Sequence, residues 1–176
     1  FGFELTEVIG DFAASSSRIK MTDVQARFYG GSLNAEIVLE FAPEPVYHIE
    51  TELTGVDLGL MRAVNQGIFS QVKGKVDADL NIDGKTGGEN IIKGEIRSIE
   101  GAEVKAMLLK PLLDYIPQST QKVDLNALIV QNGDVPLDVA VVKIDSIRDD
   151  ALNTDIKLKS KKFNLDIGLK ADFNIE

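Results

Sequence analysis

Alternation of apolar and polar residues with a period of two runs through most of this chain, most clearly near its C-terminal end. Phe163, Leu165, Ile167, Leu169, Ala171, Phe173 and Ile175 are apolar, and Asn164, Asp166, Gly168, Lys170, Asp172 and Asn174 lie between them. Successive side chains of a strand point to opposite faces of a sheet. The pattern therefore predicts one strand over 163–175 with an apolar and a polar face. At about 3.3 Å per residue it spans ~40 Å, well beyond the usual strand of about five or six residues.

The same pattern recurs upstream. Leu33, Ala35, Ile37, Leu39 and Phe41 form one face, and Tyr47, Ile49, Thr51 and Leu53 oppose His48, Glu50 and Glu52. Val72, Val76, Ala78, Leu80 and Ile82 alternate with Lys73, Lys75, Asp77, Asp79 and Asn81. Further strands are predicted from Val123, Leu125, Ala127 and Ile129, from Leu137, Val139 and Val141, and from Leu152, Ile156 and Leu158. Shorter or broken patterns cover 3–12, 19–28 and 91–99, and between Met21 and Val24 the phase slips by one residue, which suggests a bulge. Gly30-Gly31, Pro43-Glu44-Pro45, the stretch 84–88, Asn132-Gly133-Asp134 and Asp149-Asp150 read as turns, with Asn132-Gly133 the strongest hairpin signal. Short links between neighbouring strands imply antiparallel pairing.

Two segments depart from the alternation. Asp57 is placed to cap a short helix carrying Leu58, Leu60, Met61 and Val64 and ended by Gly67, so a helix is expected near 57–66. Val104, Met107, Leu108, Leu112 and Ile116 have helical spacing, which predicts a second helix over 103–116, interrupted or restarted at Pro111. The expected fold is mainly β: a single domain over 1–176 built as a long, curled antiparallel meander, with an apolar concave face and two short helices. That apolar face must meet something dry. A second sheet, closure on itself, the helices, or an apolar ligand could each serve, and the helices carry far fewer apolar side chains than the strands.

Charge and composition narrow the chemistry. The 28 acidic and 19 basic residues give a formal charge of −9, which argues against a phosphate-binding surface for nucleic acid and against adhesion to anionic headgroups. With no cysteine, disulfides, thiol catalysis and Cys-ligated zinc are excluded. Three Tyr and no Trp do not supply the aromatic girdles of a membrane-spanning barrel. The chain starts at Phe1 and enters a strand pattern at once, without a signal-like segment, which leads us to expect an excised segment of a larger protein.

Candidate chemical sites are few. His48, the only histidine, falls on a polar strand face beside Glu50, with no nucleophile marked nearby. Asp79, Asn81, Asp83 and Gly84 match the front of a calcium loop, but Asn90 stands where that loop needs Glu, and the flanking residues alternate like a strand. Asp77 with Asp79, and Glu50 with Glu52, pair carboxylates on outward faces. The basic run 157–162, interrupted by Leu158 and Ser160, reads as a solvated strand end with edge-protecting lysines. No enzyme activity, cofactor or metal is expected.

The order of several short motifs carries a resemblance. Phe28-Tyr29-Gly30-Gly31-Ser32-Leu33-Asn34-Ala35 leads into a strand, and Leu53-Thr54-Gly55-Val56-Asp57-Leu58 opens a helix. Val72-Lys73-Gly74-Lys75-Val76-Asp77-Ala78-Asp79-Leu80 and Ile92-Lys93-Gly94-Glu95-Ile96 follow. From about Arg27 onward this order resembles the C-terminal region of AsmA-like proteins of Gram-negative bacteria. The resemblance implies a periplasmic segment of an envelope protein anchored in the inner membrane. It also implies a non-enzymatic β-groove that conducts phospholipid for outer-membrane biogenesis, with other envelope proteins as further partners. The positions that would line such a lipid groove are Leu33, Ile37, Leu39, Val72, Val76, Leu80, Ile82, Phe163, Leu165, Ile167, Leu169, Phe173 and Ile175. The competing expectation is a structural or assembly domain with a closed core and protein partners.

Overall fold

A computed structural model describes residues 3–41, 43–63, 70–86, 88, 90–115, 120–148 and 151–174. They form one open antiparallel sheet of ten strands. Four strands come first: β1 (Thr6–Ala14), β2 (Arg18–Phe28), β3 (Gly31–Glu40) and β4 (Val46–Asp57). A short 3₁₀ turn, Leu60–Ala63, precedes β5 (Val72–Lys85) and β6 (Asn90–Lys105). A 3₁₀ segment, Ala106–Tyr115, and helix α1 (Thr120–Val130) then lead to β7 (Asp134–Leu137), β8 (Val139–Arg148), β9 (Ala151–Ser160) and β10 (Leu165–Asn174). The mainly β meander expected from the alternation is the observed architecture.

Strands pair with their sequence neighbours except at β6, whose far side meets β7 and β8 in series. Residues 102–105 pair with β7, and residues 94–97 with β8. Between the two, the backbone N–H of Ala140 donates to Ser98 Oγ at 3.0 Å. The β2–β3 turn is the two-residue loop Tyr29-Gly30, closed by the Phe28–Gly31 pair. Both loop residues have positive φ (42° and 80°), as a type I′ hairpin requires. The slip expected between Met21 and Val24 is present as a register shift against β3, with Asp23 at φ 53°.

Two strand expectations are overturned. Residues 123–129 are helical, not extended. Leu125 and Ile129 are buried and Leu128 half-buried, whereas Val123 is 63% and Val130 87% exposed. The positions that count are thus i, i+3 and i+4, the inner stripe of a helix. Asn132-Gly133 ends this helix instead of turning a hairpin. Gly133 N–H donates to the Leu128 carbonyl at 2.8 Å and Asn132 N–H to that of Ile129 at 3.1 Å, with Asn132 at φ 52°. This is a Schellman cap, which uses the same left-handed residue as a hairpin turn. The second correction lies at Asp138, which separates β7 from β8. Leu137 pairs with Ala102 on the apolar side, but Val139 and Val141 pair with Lys159 and Arg97 on the polar side. Ala140, Val142 and Ile144 carry the apolar face of β8.

The helix expectations shift at their edges. Asp57 closes β4, and its Oδ1 accepts the Gly59 N–H at 2.8 Å ahead of the 3₁₀ turn. Gly67 lies outside the described residues. Residues 103–105 belong to β6, and the helical segment begins at Ala106 with Pro111 inside it. Phe163 stands in the turn before β10, not within the strand.

Two substitutions test these features. Asn132→Val forces a β-branched residue into the left-handed region and is expected to lower stability by about 1–2 kcal/mol, while Asn132→Gly stays near neutral. Gly94 has φ +152°, and a Cβ there would lie 1.9 Å from the Asp79 carbonyl oxygen. Gly94→Ala is expected to cost about 3 kcal/mol or more, because backbone atoms must part. Urea denaturation of each variant reads both effects.

Candidate functional site

The pairing registers line up apolar side chains in rows across the sheet, since directly paired residues share a face. One row is Leu33, Leu53, Ala78, Ile96, Val142, Ile156 and Leu169. Another is Met21, Ile37, Ile49, Ile82 and Ile92. Alternation within eight of the ten strands thereby becomes one continuous aliphatic surface. The opposite face carries the charges.

Cover over this surface is uneven along the strands. Two packed clusters sit side by side at one end. In the first, Ala106, Leu109, Leu125 and Ile129 from the helical segments meet Val135, Leu137, Phe163 and Leu165. In the second, Met61 of the 3₁₀ turn meets Phe28, Val56 and Val76. Register puts both clusters at the end where β2, β4, β6 and β9 finish and β3, β5, β8 and β10 begin. Toward the other end, marked by the turns after β3 and β5, Ile37, Leu39, Ile49, Ile82 and Ile92 are half-buried. None of them belongs to either cluster.

The residues expected to line a groove divide accordingly. Val76, Phe163 and Leu165 are buried within the clusters, and Leu33 and Ile167 pack against them. Val72 is half-buried and pairs with Val104 at the covered end. Ile37, Leu39, Leu80, Ile82 and Leu169 are half-buried on the shared face away from the cluster centres. Phe173 pairs in register with Leu152, and Ile175 lies outside the described residues. Met21, Ile92, Val142, Ile144 and Ile156 belong to the same face but were not among the expected lining. Their rows emerge only once register is known, although Ile156 already stood in an alternating run.

Depressions also occur on the polar face. One, of about 480 Å³, is bordered by Gln25, Asn34, Glu36, Glu50, Glu52 and Asp79. Another, of about 460 Å³, lies around Arg18, Glu40, His48 and Asp83. Several acidic residues of this face are held in cross-strand ion pairs, including Lys20–Glu36 at 3.8 Å, Arg97–Asp79 at 2.9 Å and Lys143–Glu95 at 3.5 Å. Such exposed pairs are worth about 0–1 kcal/mol each, so they specify strand neighbours more than they stabilise the fold.

The calcium-like residues do not form a loop. Asp79, Asn81 and Asp83 all lie within β5, which continues to Lys85. Asp79 and Asp83 are therefore about 13 Å apart along the strand, and they serve Arg97 and His48 respectively. The lysine run does not guard an edge either. β9 is an interior strand, and Lys159 reaches Asp166 on β10 at 2.6 Å. Lys161 N–H donates to Asp138 Oδ2 at 2.6 Å. Ser160 is buried opposite Leu165, and its hydroxyl has no protein partner.

His48 bridges two strands. Its Nδ1 lies 2.6 Å from Asp83 Oδ1 and its Nε2 3.1 Å from Glu50 Oε1. The hydrogen bond to Asp83, then that to Glu50, raises its pKa above the ordinary value of 6.5. Both ring nitrogens face carboxylates, an arrangement that favours the imidazolium. No family model, curated protein or solved structure matches the chain.

The raised pKa fixes the sign of a pH effect. The folded state binds the proton more tightly, so the stabilisation is fully present below pH ~6.5 and is lost as pH rises through the folded pKa. With His48 42% exposed, solvent screening keeps the effect below about 1 kcal/mol. His48→Gln is expected to lower the melting temperature slightly at about pH 5.5 and by less at about pH 8.5. Thermal scans of both proteins at the two pH values check this.

Proposed function

We propose that this protein is a non-enzymatic, lipid-binding β-groove segment whose aliphatic sheet face accepts acyl chains. The observation that carries the reading is the continuation of the aliphatic rows past the packed clusters, through Ile37, Leu39, Ile49, Ile82 and Ile92. Branched aliphatic side chains predominate there, with few directional hydrogen-bonding groups among them. That suits a flexible hydrocarbon, with affinity growing by about 0.8 kcal/mol for each buried methylene. Protein interfaces draw instead on central Trp, Tyr and Arg anchors, and this stretch supplies only Tyr47 at its rim. The resemblance to AsmA-like proteins supports the same ligand. It adds the envelope setting: a periplasmic segment of an inner-membrane-anchored protein that takes part in phospholipid transport and outer-membrane biogenesis. The packed clusters favour a second reading, a structural domain with a closed core and protein partners.

Lipid extraction and native mass spectrometry of the purified chain are expected to reveal co-purifying phospholipid. Ile37→Asp, which sets an unpaired carboxylate among half-buried aliphatics, is expected to stay folded and lose the lipid. Glu36→Ala on the opposite face should keep it. Leu125→Asp, inside a cluster, is expected to unfold the protein. Absence of lipid from the unaltered chain, together with unfolding of Ile37→Asp, would favour the closed core.

A further inference from the structure

Resting on the acyl-chain reading, we propose that the apolar face is single-ended: a chain enters along the strands from the end bearing the β3–β4 and β5–β6 turns and stops with its methyl terminus against the two packed clusters. At the far end Leu109, Leu125 and Ile129 close over β6 to β10, and Met61 closes over β2 to β6. These side chains already fill the space a hydrocarbon would need. Val56 of β4, Val135 of β7 and, above them, Leu125 of the helix are each 1% exposed or less, so among the described residues sheet and cover are in direct contact here. Interiors packed this densely do not part cheaply.

The entry end is the less covered one, where Ile37, Leu39, Ile49, Ile82 and Ile92 are only half-buried. Charged residues frame it on the polar side of the same strands: the Arg18–Glu40, Lys85–Glu44 and His48–Asp83 pairs. A headgroup left there stays solvated, whereas a headgroup driven toward the clusters would be buried without partners. The orientation therefore follows from desolvation: methyl end inward, polar end at the turns. The available length is set by the strands, because among the described residues the half-buried aliphatic stretch runs from the turns to the clusters.

Two measurements test this. The first uses the unaltered chain and lysophosphatidylcholines of increasing acyl length. Affinity should rise about fourfold per methylene and then level off once the chain reaches the clusters. A rise that continues through the longest chains would overturn the single end. Absence of binding at every length would overturn the acyl-chain reading itself. The second exploits the absence of tryptophan from the chain. Leu39→Trp reports near the turns and Leu80→Trp, about 13 Å further in by strand rise, reports near the clusters. Phosphatidylcholine brominated near the methyl end should quench Leu80→Trp more than Leu39→Trp, and bromine near the headgroup should reverse that order. The opposite pattern, or equal quenching at both positions, would overturn the orientation while leaving acyl binding intact.

Discussion

A sheet one layer thick, apolar along one whole face, must find cover for that face or leave it wet. Here the phase of alternation is kept from strand to strand by antiparallel register, so the aliphatic side chains of β2 to β10 accumulate on a single side. Every other arrangement in the molecule responds to that accumulation. The helical segments gather where they can bury it, and the ion pairs gather on the face it leaves to water. The bulges at Asp23 and after Gly74 let the register slip without reversing the faces.

Cover is supplied from loops, which explains its unevenness. The 3₁₀ turn follows β4, and the helical segments follow β6. Both of those strands finish at the same end of an antiparallel meander, because they are an even number of strands apart. Among the described residues, the tight turns at the opposite end carry no such insertion over the apolar face. The division of the aliphatic face into a packed half and a half-open half is thus a consequence of connectivity.

Much of this was legible in the sequence. The period of two around 33–39 and 165–169 marked which side chains share a face, and the turn read at Gly30-Gly31 is present one residue earlier, at Tyr29-Gly30. The stretch 123–129 misled because Leu125 and Ile129 satisfy a period of two and a helical period together. Leu128 and the exposure of Val123 decide between them, and exposure is a tertiary fact. Asn132-Gly133 misled for a related reason, since a left-handed residue serves a helix cap as well as a hairpin. Leu137, Val139 and Val141 looked like one strand face, but the interruption at Asp138 reverses the phase. Which half of the apolar face lies open could not be read from the sequence at all, because it depends on where the loops fold back.

The double pairing of β6 bears on how the chain folds. Apart from the longer link between β4 and β5, the other paired neighbours are joined by short turns, so pairing can advance hairpin by hairpin with little loss of loop entropy. At β6 the chain leaves the sheet for the helical excursion and returns as β7, and that closure spans many more residues than any hairpin turn. β6 is also the strand that both clusters share, through Ile96 on one side and Ala102 and Val104 on the other. Cooperativity between the early and late strands is consequently concentrated in a single shared element. The two halves are, in energetic terms, neighbouring folding units joined along one seam.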